Sequence, residues 1–207
     1  MKILHVSCSP RGRSAESYRL SQRIIGCLRE SDPAAILLTR ELGGGAPSHI
    51  DAGYAATQHS PEAEIPRDGS TLHSEELIQE LEHADVVVIG TPMHNLTVPS
   101  VLKAWIDHVV RARRTFNMTP KGKAGTLRDR PVFIAVASGG RYSGERAHQP
   151  DFLTPYLKVI LGNIGLHDLT FFSVEGTGHG PDAVAEARDR TDQALREYFS
   201  SFRTAPA

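Results

Sequence analysis

Residues 85–91 read DVVVIGT and residues 131–138 read PVFIAVAS. Both runs are apolar and rich in β-branched residues at successive positions. A strand with one face in water alternates polar and apolar residues; a strand buried on both faces does not. The two runs therefore predict interior strands of a parallel sheet. Three further runs, Lys2–Cys8, Ala35–Arg40 and Asp168–Val174, complete five strands. Helical patterns fall between them. Leu20, Ile24, Cys27 and Leu28 share one face of a first helix, and Leu77, Ile78 and Leu81 one face of a second. Leu102, Trp105, Ile106, Val109 and Val110 follow the spacing of a buried helical stripe, behind a Pro99 suited to a first turn. Residues 152–164 predict a fourth helix, and residues 181–202 a fifth that opens on Pro181. Strands and helices in alternation give an open, doubly wound α/β fold. With no sixth strand, the order 2-1-3-4-5 fits best, and a ligand is expected at the carboxyl ends of strands 1, 3 and 4.

A chain of 207 residues is expected to form one domain over 1–207. Residues 41–73 are rich in Gly, Pro, Ser and His and carry no long stripe. They are expected to form a long loop with at most one short helix, over the sheet edge or against a second subunit. The net charge of −1 leaves no basic footprint for nucleic acid. No run reaches the roughly 18 apolar residues of a membrane span. Cys8 and Cys27 make no disulfide framework, and with no leader pattern the expected compartment is the cytoplasm. Ten histidines invite a metal, yet no pair has ligand spacing on a helix, so none is expected.

Three polar loops are predicted to meet at one crevice: SCSPRGRSAES at 7–17, TPMHNLTVPS at 91–100 and ASGGRYSG at 137–144. The first precedes a helix, where free N–H groups and the helix dipole favour an anion. Ser9 and Ser17 offer hydroxyls, and Arg11 or Arg13 positive charge. The simpler alternative is that Ser14 or Ser17 caps the helix. Met93 can pack on a flat ring, and Asn95 offers donor and acceptor. Gly139 and Gly140 allow backbone to approach a ligand. Each residue alone is equally at home in a core or a turn; their convergence is the signal. Gly176–Gly180 (GTGHG) imitates a nucleotide loop but is followed only by a helix, which excludes a dinucleotide site there.

Cys8 sits where a phosphatase of low molecular weight would keep its nucleophile. That loop needs cysteine, five residues, then arginine. Here Arg13 comes one residue early, Ser14 stands in the required place, and no Asp-Pro pair follows the fourth strand. A one-residue slip redirects every N–H of such a nest. Cys8 is therefore read as a buried strand end.

The loop S-x-S-P-R-G at 7–12, TPMHN at 91–95, SGG at 138–140, TPYLKVILGNIG at 154–165 and EGTGHGP at 175–181 resemble the FMN-dependent NADH azoreductases and NAD(P)H:quinone reductases, which are flavodoxin-like. The resemblance covers most of the chain. It implies an FMN phosphate held by Ser9, Ala15, Glu16 and Ser17. Pro92, Met93, His94, Asn95 and Leu96 would border the ring, with Ser138, Gly139 and Gly140 at its pyrimidine edge. It further implies a homodimer that passes two electrons from NADH or NADPH through FMN to a quinone or azo compound. No side-chain acid or base is required, and His94 is the candidate for an optional proton donor. Three positions depart from the family: Ala15 replaces a serine, His94 an aromatic residue and Ser138 an arginine. Tyr142 and residues 41–73 are expected to shape the substrate side. Alternatives of the same fold are a specialised biosynthetic quinone reductase and a one-electron carrier of flavodoxin type, although such carriers are strongly acidic.

Overall fold

The computed structural model describes residues 1–45, 47–57 and 69–202. In chain order the elements are β1 (Lys2–Ser7), α1 (Glu16–Ser31), β2 (Ile36–Glu41), α2 (Ala52–Thr57), α3 (Gly69–His83) and β3 (Val86–Pro92). Then come α4 (Ser100–Val109), β4 (Phe116–Thr119), β5 (Gly122–Gly125), β6 (Val132–Ser138), α5 (Leu153–Gly162), β7 (Leu169–Glu175) and α6 (Pro181–Ser201). Five strands form one parallel sheet in the order β2-β1-β3-β6-β7. This is the expected order, since β6 and β7 are the fourth and fifth strands of the sheet. β4 and β5 form a separate antiparallel hairpin.

The interior strands serve two cores at once. On β3, Val86 and Val88 point to a cluster with Leu20, Ile24 and Leu28 of α1 and Ala187 and Leu195 of α6. Val87 and Ile89 point to the other cluster, with Leu77 and Ile78 of α3, Trp105 of α4 and Leu157 of α5. This two-sided demand is why VVVIG does not alternate. Beneath α6, the Phe133 ring meets Tyr198, Phe199 and Phe202 at centroid distances of 5.8, 5.2 and 5.4 Å. Of the expected stripe, Leu102, Trp105, Ile106 and Val109 are buried on α4, each contributing about 1.5–3 kcal/mol, while Val110 follows the helix and is only partly buried.

Three details differ from expectation. α3 begins at Gly69, so residues 69–73 are helix rather than loop. Its first turn buries Ser70 and Thr71, which carry no apolar signal. The β4–β5 hairpin has four-residue strands, too short for a periodic pattern to register. Cys27 is only half-buried, because Ile25 takes the core position beside Ile24 and Leu28. Within 41–73, Ala46 and residues 58–68 lie outside the described residues, and α2 is the one short helix expected there. Among the described residues, no helix is long and apolar enough to cross a membrane, and no group of three or more His, Cys, Asp or Glu could hold a metal ion.

Candidate functional site

The chain leaves β1 toward β2 and leaves β3 toward β6, so the loops after β1 and β3 part and open a crevice between them. A cleft of about 350 Å³ lies there. The loops after β1, β3 and β6 all contribute to it, together with Thr177 and Val184 from beyond β7.

At one end the chain wraps tightly on itself. Arg11 N donates to Ser9 Oγ (3.3 Å), Gly12 N to Ser9 O (3.0 Å) and Ala15 N to Gly12 O (3.1 Å). α1 then starts without a side-chain cap. Ser14 Oγ donates instead to Arg11 O at 2.8 Å, and Ser17 lies inside the helix, so neither serine caps it. The N–H groups of Glu16, Ser17 and Tyr18 lack an intrahelical acceptor by position and take none among the described residues. Beside them the Ser17 hydroxyl is fully buried and unpartnered. The Glu16 carboxylate does not oppose an anion here. It is bound by Arg188 (Nε to Oε2, 2.9 Å) and Arg19 (3.2 Å), which together hold it below the usual carboxylate range, Arg188 most strongly. Arg11 lines the cleft, whereas Arg13 does not. Gly43 matters here: a Cβ on it would stand 1.9 Å from Ser9 O, so only glycine lets the stretch after β2 lie on this loop.

Cys8 does not face the cleft. Its thiol is fully buried, 3.9 Å from Val6 O, and burial pushes its pKa far up. It is no nucleophile.

At the other end, Met93 N donates to Ala137 O (2.8 Å), joining the loops after β3 and β6. His94 and Thr97 exchange two backbone hydrogen bonds of 3.0 Å around Asn95 and Leu96. Both central residues have positive φ, 48° and 71°. Asparagine tolerates this conformation, whereas for leucine it costs about 1–2 kcal/mol. Such strain is characteristic of functional turns. Gly139 faces open space in the cleft. Ser138 and Gly140 do not line it: the side chain of Gln149 covers both, its Nε2 lying 3.1 Å from Ser138 Oγ.

The cleft thus brings together Ser9, Ala15, Glu16, Ser17, Pro92, Met93, His94 and Gly139 of the expected residues. Asn95 and Leu96 sit in the turn beside it, and Ser138 and Gly140 lie beneath Gln149. Tyr142 packs on the core and is not a wall of the cleft. Gln149 carries no signal in the sequence, because its loop has no periodicity. Thr177 does have one, in GTGHG. That stretch is a buttress: Thr177 Oγ1 donates to Ser138 O (3.1 Å) and Gly178 N to Gly139 O (3.1 Å).

A parallel sheet of this order with a polar cleft at its switch point defines a flavodoxin-like protein. The family model described as flavodoxin-like fold matches residues 1–199, and the chain belongs to that family. Among its relatives is the FMN-dependent NADH:quinone oxidoreductase 4 of Pseudomonas fluorescens, 43% identical over 194 residues, with 93% of each chain covered. The FMN-dependent NADH:quinone oxidoreductase 2 of Cupriavidus pinatubonensis is 42% identical over 191 residues, covering 91% of this chain and 93% of the other. In fold, the chain is similar to azoreductase AzrA, with a TM-score of 0.84 at 23% identity over 98% of this chain and 100% of the other.

Proposed function

We propose that this chain is an FMN-dependent NADH:quinone oxidoreductase that also reduces azo compounds. One observation carries the reading: the buried, unpartnered Ser17 hydroxyl beside the free N–H groups of α1. A buried hydroxyl without a partner costs about 1–3 kcal/mol, a cost offset when an anion accepts its hydrogen bond. FMN fits this chain on that ground. Its phosphate would be held by Ser9, Arg11, the Ser17 hydroxyl and the free N–H groups of Glu16 and Ser17, its ring bordered by Pro92–Leu96, and its pyrimidine edge set against Gly139, the one residue of Ser138–Gly140 that lines the cleft. Ala15 removes no required donor, because backbone N–H groups and Ser17 supply the donors there. The names of the relatives support NADH as donor.

When bound, FMN supplies the chemistry of hydride acceptance and two-electron release. The chain's own groups bind and orient. The positive end of α1 and Arg11 balance the phosphate charge. Met93, 8% exposed and tied to Ala137, gives a soft apolar wall. Gly139 leaves backbone free to approach the ring. His94 is exposed at the rim of the cleft, and its imidazole would be the optional proton donor to a reduced acceptor.

The same reading includes one domain, a cytoplasmic location and a homodimer. Cys8 and Cys27 are free thiols, which suits a reducing compartment. Ile50, Leu72, Phe152 and Val159 are 42, 48, 58 and 65% exposed, apolar surface that a partner subunit would cover. The test is the visible spectrum of the purified protein, followed by NADH oxidation with a simple benzoquinone. Flavin bands released as FMN on denaturation, and rapid NADH consumption, are expected. A protein that neither carries nor binds FMN overturns the proposal, and one that binds FMN but leaves NADH unoxidised reduces it to an electron carrier.

A further inference from the structure

The first turn of α1 is open at the floor of the cleft, and one side chain in that turn could close it. Ala15 has no group with which to cap the helix, and Ser14 donates to Arg11 O instead. A carboxylate in the first turn of an uncapped helix is the natural partner of the free N–H groups and of the positive end of the dipole. Glu16 is that carboxylate, and it lines the same cleft. Left free, it would set a negative charge where the phosphate is assigned and would take up donors that the phosphate needs.

The fold prevents both through α6. Val184 of α6 lines the cleft, and Arg188 lies one turn further along the same face. The Arg188 fork takes both oxygens of the Glu16 carboxylate: Nε donates to Oε2 at 2.9 Å, and Nη2 donates to Oε1. Arg19 Nε adds a bond to Oε2 at 3.2 Å, and Arg19 Nη1 is itself held by Asp192 Oδ1 at 3.4 Å. All three bonds to the carboxylate therefore come from arginine side chains. Arg19, three residues on in the same helix, holds only Oε2. Without Arg188, Oε1 is free to turn onto the open N–H groups. Glu16 and Arg188 are 172 residues apart, so the grip depends on α6 lying beside α1. A bidentate guanidinium–carboxylate pair is the geometry that fixes orientation as well as charge.

We propose that Arg188 is a positioning residue for the cofactor phosphate, which keeps the first turn of α1 open to an anion by holding Glu16 away from it. This rests on the assignment of the cleft to FMN. Arg188 does not line the cleft, so it acts through Glu16 and not on the phosphate itself. The pair explains how an acidic residue stands in the wall of an anion site. It also gives α6 a part in cofactor binding beyond covering the sheet.

The experiment titrates apo-protein with FMN and with riboflavin, which has the same ring and lacks the phosphate, followed by flavin fluorescence. The readout is the ratio of the two affinities, because a loosened fold weakens both ligands alike. Wild type is expected to prefer FMN by about a hundredfold, the worth of two charge-assisted hydrogen bonds. Arg188→Gln is expected to lower that ratio about tenfold, through one uncompensated carboxylate beside the phosphate. The double variant Glu16→Gln/Arg188→Gln, which has the net charge of wild type, is expected to return the ratio to within about twofold of wild type. Arg190→Gln removes the same charge from the same helix and is expected to keep the ratio within about twofold. An Arg188→Gln variant with the wild-type ratio overturns the proposal. So does a double variant as weak as Arg188→Gln, which assigns Arg188 to the phosphate directly, or an equal loss in Arg190→Gln, which assigns the effect to net charge. Wild-type protein that binds both flavins equally overturns the place of the phosphate at α1, and one that binds neither overturns the flavin assignment itself.

Discussion

Ser17 and Cys8 lie nine residues apart and illustrate opposite fates of a polar group at the end of β1. The Ser17 hydroxyl is buried without a partner, a cost that the proposed phosphate would remove. Ser17→Ala is therefore expected to leave the apo melting temperature unchanged or slightly raised. It is also expected to weaken FMN by about tenfold, the worth of one charge-assisted hydrogen bond. Thermal unfolding of apo-protein and a flavin titration read the two effects separately. Cys8 is sealed in the core, its thiol held protonated by burial. It is expected to stay unmodified by iodoacetamide in the folded protein, with Cys27 alkylated first, as mass spectrometry of the labelled chain will report. Sequence spacing alone set Cys8 aside as a nucleophile. That Ser17 points at nothing within the protein is visible only once α1 is packed.

At the scale of elements, the junction of α3 with the end of α4 depends on one carboxylate. Glu75 of α3 binds Arg114 (Nη2 to Oε1, 2.8 Å) and Arg111 (2.5 Å), and Arg111 is 7% exposed. Arg114 above all, and Arg111 with it, lower the Glu75 pKa to about 2. A carboxylate whose folded pKa lies below its unfolded value stabilises the fold above the unfolded pKa and loses that contribution as pH falls. The window runs from about 4.5 down to about 2. Glu75→Gln is expected to destabilise by about 2 kcal/mol near neutral pH, since it leaves the Arg111 charge buried with neutral partners only. The variant is also expected to lose less stability than wild type across that window, the remaining loss coming from other carboxylates held low, Glu16 and Glu82 among them. Urea midpoints measured between pH 2.5 and 7 test both statements. None of this is legible from the cluster Arg111, Arg113 and Arg114, which reads as a solvated helix end. The partner of Arg111 and Arg114 lies 36 residues upstream of Arg111, and only the packing of α3 on α4 brings it close.

For the molecule as a whole, a second acid-sensitive group sits inside the sheet. His5 is fully buried on β1, with Nε2 2.9 Å from Ser21 Oγ, and burial lowers its pKa to about 4. The unfolded chain takes up a proton near pH 6.5 that the folded chain refuses until about pH 4, so stability falls as pH drops through that interval. Wild-type protein is expected to lose stability in two stages, His5 first and Glu75 below it. His5→Gln, which keeps a hydrogen-bonding group toward Ser21, is expected to shrink the upper stage and leave the lower one, the rest of the upper stage coming from buried His108, whose pKa burial also lowers. Because His5 and Glu75 lie on different elements and share no partner, the double variant is expected to show additive effects. The same molecule-wide view bears on assembly. The exposed apolar residues Phe152 and Val159 lie at the start of α5 and within it. Val159→Lys is expected to shift the protein toward monomer in light scattering.

The sequence by itself determined the sheet. Strands buried on both faces write their burial into every residue, and helical stripes between them leave one topology that places three polar loops together. It also determined which loops meet, since carboxyl ends of neighbouring parallel strands are adjacent whatever their side chains. Tertiary structure alone decided the parts that rest on single contacts between distant residues. Gln149 on Ser138, Gly43 against Ser9, Arg188 on Glu16 and Glu75 on Arg111 have no period and no local propensity. Hydrophobic pattern is a local average and survives in one dimension. The orientation of one amide or carboxylate depends on what the folded chain brings within about 3 Å of it, and only packing supplies that.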